Sequence, residues 1–326
     1  MSRPLSGGSE YVLKALEEGR LDNEAGGFKR RLAKILHNER PNLFESIEQV
    51  RNFIRIHTGN FGESVRKASK NKKHYNTQEY TFQVPKHEYE APKVVVISKE
   101  VERIGIISDI HLPFQCEQTI ATAYQDFKES NIGALVLNGD TLDCSDISSH
   151  DKDGTSADWS FELDTLYEFL GFTRDLFPDI PIYYKIGNHE HRLARLIWNK
   201  VPAMAREIDF AEMANLRDFN VSHVGTNDRI KFADLNIFHG HEFRISAAMH
   251  PARSLFLRVH GQEHMVIGHL HTTDTFQKGN SRRASVLGCA CKLQATYDAS
   301  SDYRWNNGYA KATRTDDGHT LENIRL

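Results

Sequence analysis

The sequence predicts a layered α/β domain preceded by a small helical module. From about residue 101, short apolar runs recur, each ending in acidic, Asn or His residues, with helical periodicity between several of them. Residues 1–75 lack any period-two pattern and read instead as short helices separated by glycines. The expected organisation is therefore a basic helical module over 1–75, a Pro-containing extended connector over 76–100, and a main domain over 101–326.

In the module, Ser46 followed by Gln49 forms a capping-box signature, Ile47, Val50 and Ile54 then share one helical face, and Gly59 is available to end the helix. Two basic clusters, KRRLAKIL from Lys29 and VRKASKNKK from Val65, would decorate this module. A helix-turn-helix nucleic-acid binder fits, and so does a helical cap packed on the main domain. The cap is preferred because no recognition helix can be named.

In the main domain, Arg103–Ser108, Ala134–Asn138, Pro181–Ile186, Asn236–Phe238, His264–Ile267 and Ala284–Leu287 read as buried strands, and Thr119–Ser130 and Phe161–Leu176 as helices. Strands alternating with crossovers put functional residues at strand ends.

Composition narrows the classes. Hydrophobic residues at 39% and charged residues at 26% are ordinary for a soluble globular protein. No apolar run approaches the ~20 residues a membrane span needs. The N-terminal residues lack the apolar core of a secretory signal, so a cytoplasmic setting is expected. Cys116, Cys144, Cys289 and Cys291 show no C-x-x-C spacing, which argues against a structural zinc site and a disulfide framework; they are expected reduced and mostly buried. Residues 1–75 hold 15 Lys/Arg against 9 Asp/Glu, the remainder 26 against 35. The basic part suits a polyanionic partner, or is simply a solvated face; the acidic part suits metal cations.

The chemistry sits after the strands. Asp109-Ile110-His111 follows the first, and Gly139-Asp140-Thr141-Leu142-Asp143 the second, where Asp140 could place its two oxygens on two cations. Gly187-Asn188-His189-Glu190 follows the third, His239-Gly240-His241 the fourth and Gly268-His269-Leu270-His271 the fifth. Singly, each has a bland explanation as a turn, a helix cap or a hydrogen-bonded core histidine. Five in order point to a metal site.

These motifs, D-x-H, G-D-x-x-D, G-N-H-E, H-G-H and G-H-x-H over about residues 103–290, resemble the calcineurin-like metallophosphoesterase superfamily. The resemblance implies a four-layer αββα sandwich. It implies that Asp109, His111 and His271 hold a first metal, that Asp140 bridges, and that Asn188, His239 and His269 complete a second site. His189, beside Asn188 but not a ligand in the family pattern, is the expected general acid, with Asp143 orienting it. Arg192 is a candidate phosphate contact, with a surface salt bridge equally open, and Arg253 a weaker one. His241 would serve as a ligand, or hold a ligand or the substrate by a hydrogen bond. His150, His250 and His264 lie outside the motifs.

A donor set of carboxylate, amide oxygen and imidazole suits Mn²⁺, Fe²⁺ or Zn²⁺, and family habit puts manganese first. Two such cations would lower the pKa of bound water and neutralise phosphate oxygens. The expected activity is phosphoester hydrolysis, foremost as a phosphodiesterase on nucleic acid or nucleotides. Phosphoprotein phosphatases of this superfamily usually continue the second motif with Arg-Gly, where this chain has Cys144-Ser145. A phosphomonoesterase is one alternative, and a nucleic-acid-binding protein with an inactive phosphoesterase-like domain another. The polar segment Ser145–Ser160 would be a lid, a substrate-selecting loop or a tolerated insertion. Oligomeric state leaves no mark in the sequence.

Overall fold

The structure, a computed structural model, describes residues 6–58, 91–148, 158–245, 250–259, 263–279, 282–294 and 304–326. The basic cluster from Val65, Gly59 and His150 lie outside the described residues, as do 76–90 of the expected connector and 149–157 of the expected lid. The chain divides into two compact units, Met1–Glu88 and Tyr89–Leu326.

The first unit contains helices α1 (Gly7–Glu17), α2 (Arg20–Asn23), α3 (Lys29–Glu39) and α4 (Ile47–His57). Ser46 caps α4, accepting the Gln49 amide at 3.2 Å. The Gln49 side chain accepts the amide of Glu45 at 2.7 Å, one residue earlier than a capping box requires. Val50 and Ile54 bury fully against Val12, Leu32, Leu36 and Phe44. Ile47, expected on the same face, is 37% exposed, since the first helical turn lies at the margin of this small core. The Lys29 cluster lies on α3, whose Leu32, Ala33 and Leu36 point inward while Arg30, Arg31 and Lys34 are exposed.

The second unit is built on two six-stranded sheets. One has the order β12 (Gly318–Arg325), β11 (Gly308–Thr315), β2 (Arg103–Ile107), β3 (Ala134–Asn138), β4 (Ile182–Lys185), β5 (Val221–Val224). The other has the order β1 (Val94–Val96), β6 (Arg229–Phe232), β7 (Leu235–Phe238), β8 (His264–Ile267), β10 (Arg283–Val286), β9 (Asp274–Gln277). β2 to β5 run parallel, as do β7, β8 and β10. β1 falls inside the stretch expected as connector. It is a three-residue edge strand just after Pro92, where short length and a nearby proline mask strand character.

The period-two geometry of the strands builds the layers. In β3, Ala134 and Val136 join Ile104, Ile106, Ile230, Leu235 and Val266 in an apolar core between the sheets. Leu135 and Leu137 face the other way, onto α5 (Glu117–Glu129), α6 (Trp159–Leu176) and α7 (His191–Lys200). In β8, Val266 enters the inter-sheet core while Met265 and Ile267 pack with Ala252 and Leu255; after the short α8 (Phe210–Met213), these lie on α9 (Pro251–Arg258). Helices, sheet, sheet and helix thus form the expected four-layer αββα sandwich. No helix among the described residues is long and apolar enough to cross a membrane.

Candidate metal centre

The loops leaving the C-terminal ends of β2, β3 and β4 in one sheet meet those leaving β7 and β8 in the other. Two glycines permit the approach. Gly139 has φ +85°, and a Cβ there would lie 2.4 Å from His239 Nδ1; a Cβ on Gly268 would lie 1.9 Å from Ser108 Oγ. Asp109, His111, Asp140, His269 and His271 all have positive φ, between 50° and 67°, a costly conformation for residues carrying a Cβ. The cost is offset by specific bonds: the Asp109 carboxylate accepts the His269 amide at 2.9 and 3.0 Å and the Ser108 hydroxyl at 2.5 Å.

The donors gather into two adjacent clusters. In the first, His111 Nε2 and His271 Nε2 lie 3.2 Å apart, and Asp109 Oδ1 is 3.2 Å from His271 Nε2. In the second, His239 Nε2 is 3.0 Å from Asp140 Oδ2 and 3.1 Å from Asn188 Oδ1, and His269 offers a nitrogen within 4.8 Å of Asp140 and His239 donor atoms. Asp140 also lies in a group with His111 and His189, so it stands between the two clusters. All seven residues expected to bind metal therefore come together.

These residues fit a pair of divalent cations. His111 Nδ1 is engaged by Asp143 Oδ1 at 2.8 Å and His239 Nδ1 by the Asn138 carbonyl at 2.8 Å, which leaves each Nε2 aimed into the cluster. Two nitrogens 3.2 Å apart match the separation of ligands bound to one ion at roughly 2.0–2.1 Å. Asp109 and Asp140 are buried facing imidazoles, with no lysine or arginine among their described ion pairs. Burial alone would raise the Asp140 pKa, but the charges of His239 and His189 outweigh it and hold the carboxyl well below its usual range. Burial likewise opposes ionisation of Asp109, yet His271 brings it to about 2. Against the same desolvation, Asp143 and Asp140 raise His111 to about 9, while Asp140 and Asp109 raise His239 to about 10. The pocket is built for positive charge.

The neighbouring residues differ from expectation in detail. Asp143 places its carboxylate nearest His111, at 2.8 Å, and only 3.3 Å from His189 Nδ1; the Asp143 backbone carbonyl orients His189, accepting from Nδ1 at 2.6 Å. Arg192 donates to the Asp143 and Cys144 carbonyls at 2.9 and 3.4 Å and to His189 Nε2 at 3.0 Å. Its fork is thus occupied within the loop rather than by a carboxylate partner. His241 sits beside the second cluster, its ring 5.5 Å from that of His239, and burial pushes its pKa down to about 4. Its Nδ1 faces Glu242 Oε2 at 3.6 Å and has no hydrogen-bond partner among the described residues. Arg253 is exposed on α9, and His264 pairs with Asp234 at 3.6 Å.

Two residues carry roles the sequence did not announce. Glu190, quoted in the third motif without a role, is buried and accepts the amides of Asp140 (3.1 Å), Thr141 (2.7 Å), Leu142 (3.1 Å) and Gly187 (2.9 Å), and the Tyr184 hydroxyl (3.0 Å). Lys185, fully buried at the end of β4, pairs with Glu242 at 3.2 Å; Glu242 in turn accepts the Gly240 amide at 2.7 Å and so holds the His239-Gly240-His241 turn. Adjacency to a motif was the only sequence signal for either.

Residues 102–283 match the calcineurin-like phosphoesterase family. The chain belongs to that family, and it is a metal-dependent phosphoesterase, a hydrolase of ester bonds. Among solved structures it is similar to a single mutant of Vps29 from Entamoeba histolytica (13% identity, 69% of this chain and 99% of that one, TM-score 0.33). It is also similar to a dimetal phosphatase from Danio rerio (10%, 69% and 96%, TM-score 0.35) and to the phosphoesterase Yfce from E. coli (13%, 68% and 99%, TM-score 0.32). No curated protein matches the sequence.

Proposed function

We propose that this chain is a phosphodiesterase acting on nucleic acid or nucleotides. The observation that carries this reading is the position of Arg192, whose guanidinium is spent on two backbone carbonyls and His189. A terminal phosphate monoester brings a second negative charge and is served by an extra fork of donors; a diester, with one charge, needs less. The exposed Arg30, Arg31 and Lys34 of α3 add support for a polyanionic substrate.

In this reading Asp109, His111 and His271 would hold one cation and Asn188, His239 and His269 the other, with Asp140 available to both. When bound, such a pair supplies Lewis acidity toward the phosphate and an activated water. Asp143 holds His111 through Nδ1 and so directs Nε2 inward. His189, fixed through Nδ1 on the Asp143 carbonyl, turns Nε2 toward the centre, 3.8 Å from Asp140 Oδ2. Nε2 here accepts from Arg192, so a proton taken from solvent water at that nitrogen would displace the Arg192 bond and then pass to the departing oxygen, leaving the neutral imidazole.

The test strips the full chain with chelator, reloads it with manganese, iron or zinc, and offers bis(p-nitrophenyl) phosphate, p-nitrophenyl phosphate and single- and double-stranded DNA, with Asp140→Ala as control. Diester and DNA cleavage lost in the control supports the proposal. Monoester cleavage alone overturns the diester preference, and equal inertness of both proteins with every metal overturns the enzymatic reading.

A further inference from the structure

The four cysteines were set aside in the sequence because none is paired in a metal-binding spacing, yet the fold brings one of them to the centre. Cys291 Sγ lies within 4.8 Å of donor nitrogens of both His111 and His271. The placement is held by backbone on both sides. Cys291 bridges Gln115 in the loop that carries His111, the Ala290 amide donates to the carbonyls of Ser108 and Asp109 at 3.0 Å each, and the Lys292 amide donates to the Phe114 carbonyl at 2.9 Å. Ala290 in turn accepts the Cys116 amide at 2.8 Å, so residues 290–292 are stitched along the first motif loop. Cys291 is 3% exposed, and no disulfide occupies it. A second feature points to the same place: His271, itself 6% exposed, has no hydrogen-bond partner for Nδ1 among the described residues, where a metal-binding imidazole ordinarily has its other nitrogen tied. Among the described residues no polar partner locks the ring of His271 through Nδ1, and a further donor on the ion would help to fix the first site.

We propose that Cys291 is an additional protein donor to the cation held by Asp109, His111 and His271, binding as a thiolate after giving up its proton to solvent. The inference rests on the two-cation reading of the site. A thiolate beside two imidazoles shifts the preference of that position away from manganese and magnesium and toward zinc or ferrous iron, while the Asn188–His239–His269 position keeps only oxygen and nitrogen donors. The two positions thus differ in softness, and the chain is suited to a mixed pair of ions. Cys289, two residues earlier, hydrogen-bonds with the Cys291 thiol and lies near the carbonyls of Cys291 and Asn306, but it belongs to none of the donor groups among the described residues. It serves as the internal control.

The full chain, stripped of metal, is titrated with cobalt(II) and followed by its visible d–d bands and by the near-ultraviolet band of thiolate-to-cobalt charge transfer. The expected result is a charge-transfer band that saturates at one cobalt per chain, persists in Cys289→Ser and is lost in Cys291→Ser, which still shows d–d bands. Cobalt bound without a charge-transfer band in the wild type, or a band retained in Cys291→Ser, overturns the thiolate while leaving the two-cation site standing. Failure of any cobalt to bind overturns both. X-ray absorption on the zinc-loaded wild type, which needs no variant, should show a sulfur neighbour at about 2.3 Å, and a first shell of nitrogen and oxygen alone would likewise sink the proposal.

Discussion

The Glu190 carboxylate accepts the backbone amide of Asp140 at 3.1 Å, and through Thr141, Leu142 and Gly187 it ties the second motif to the third. The position of the bridging candidate is thus set by a side chain 50 residues away in sequence. Glu190→Gln keeps one oxygen but turns an NH₂ toward amide donors. Losing two bonds to a charged acceptor should cost about 3 kcal/mol of stability, read by urea unfolding, together with weaker metal retention. A variant with unchanged midpoint and metal content would show that Glu190 is incidental.

Asp140 stands between the two donor clusters, so its loss should be felt by both ions. Asp140→Asn should reduce the metal retained after gel filtration from two equivalents toward none and abolish hydrolysis. Retention of both equivalents by the variant would show that another group does the bridging.

In the proposed mechanism His189 serves the proton-transfer step, so its removal should leave binding intact. His189→Asn should lower kcat by roughly 10²–10⁴-fold with metal content unchanged. The loss should shrink with a substrate whose leaving group needs no protonation, such as p-nitrophenolate. Equal losses on good and poor leaving groups would argue for a purely structural role.

Glu162, buried in the first turn of α6, accepts the amide and hydroxyl of Ser145 at 3.0 and 2.7 Å, yet burial raises its pKa from 4.5 to about 7. A carboxyl raised in this way keeps its proton in the folded chain at pH values where the unfolded chain has lost it. Its stabilising contribution is therefore complete below about pH 4.5 and is lost as the pH rises through about 7, an effect of about 3 kcal/mol. Glu162→Gln, which cannot ionise, should gain that amount relative to wild type between pH 4.5 and 8 in chemical unfolding. Parallel stability profiles for the two proteins would refute it.

The strands that the sequence revealed are the central ones. β3, with Ala134, Val136, Leu135 and Leu137 buried on both faces, is a continuous apolar run and needs no context to be recognised. β5 reads Val-Ser-His-Val and β12 Gly-His-Thr-Leu-Glu-Asn-Ile-Arg; both lie at sheet edges, where burial is partial and the apolar signal fades. Sequence also showed which loops would carry donors, because each motif directly follows such a central run.

What the sequence by itself determined, then, is the chemical identity of the donors and their order along the chain: carboxylates, an amide and imidazoles placed one to four residues beyond buried strands. Tertiary structure alone decided their partners. Asp143, expected to serve His189, pairs its carboxylate with His111 as well, at 2.8 Å against 3.3 Å for His189; Arg192 could have faced solvent and turns to the Asp143 carbonyl; Cys291 lies 180 positions beyond His111 and still reaches its ring. The reason is physical. Strand periodicity is a local property of successive residues, whereas the direction of a side chain leaving a left-handed turn, and the group it meets, depend on how two sheets twist and pack against each other.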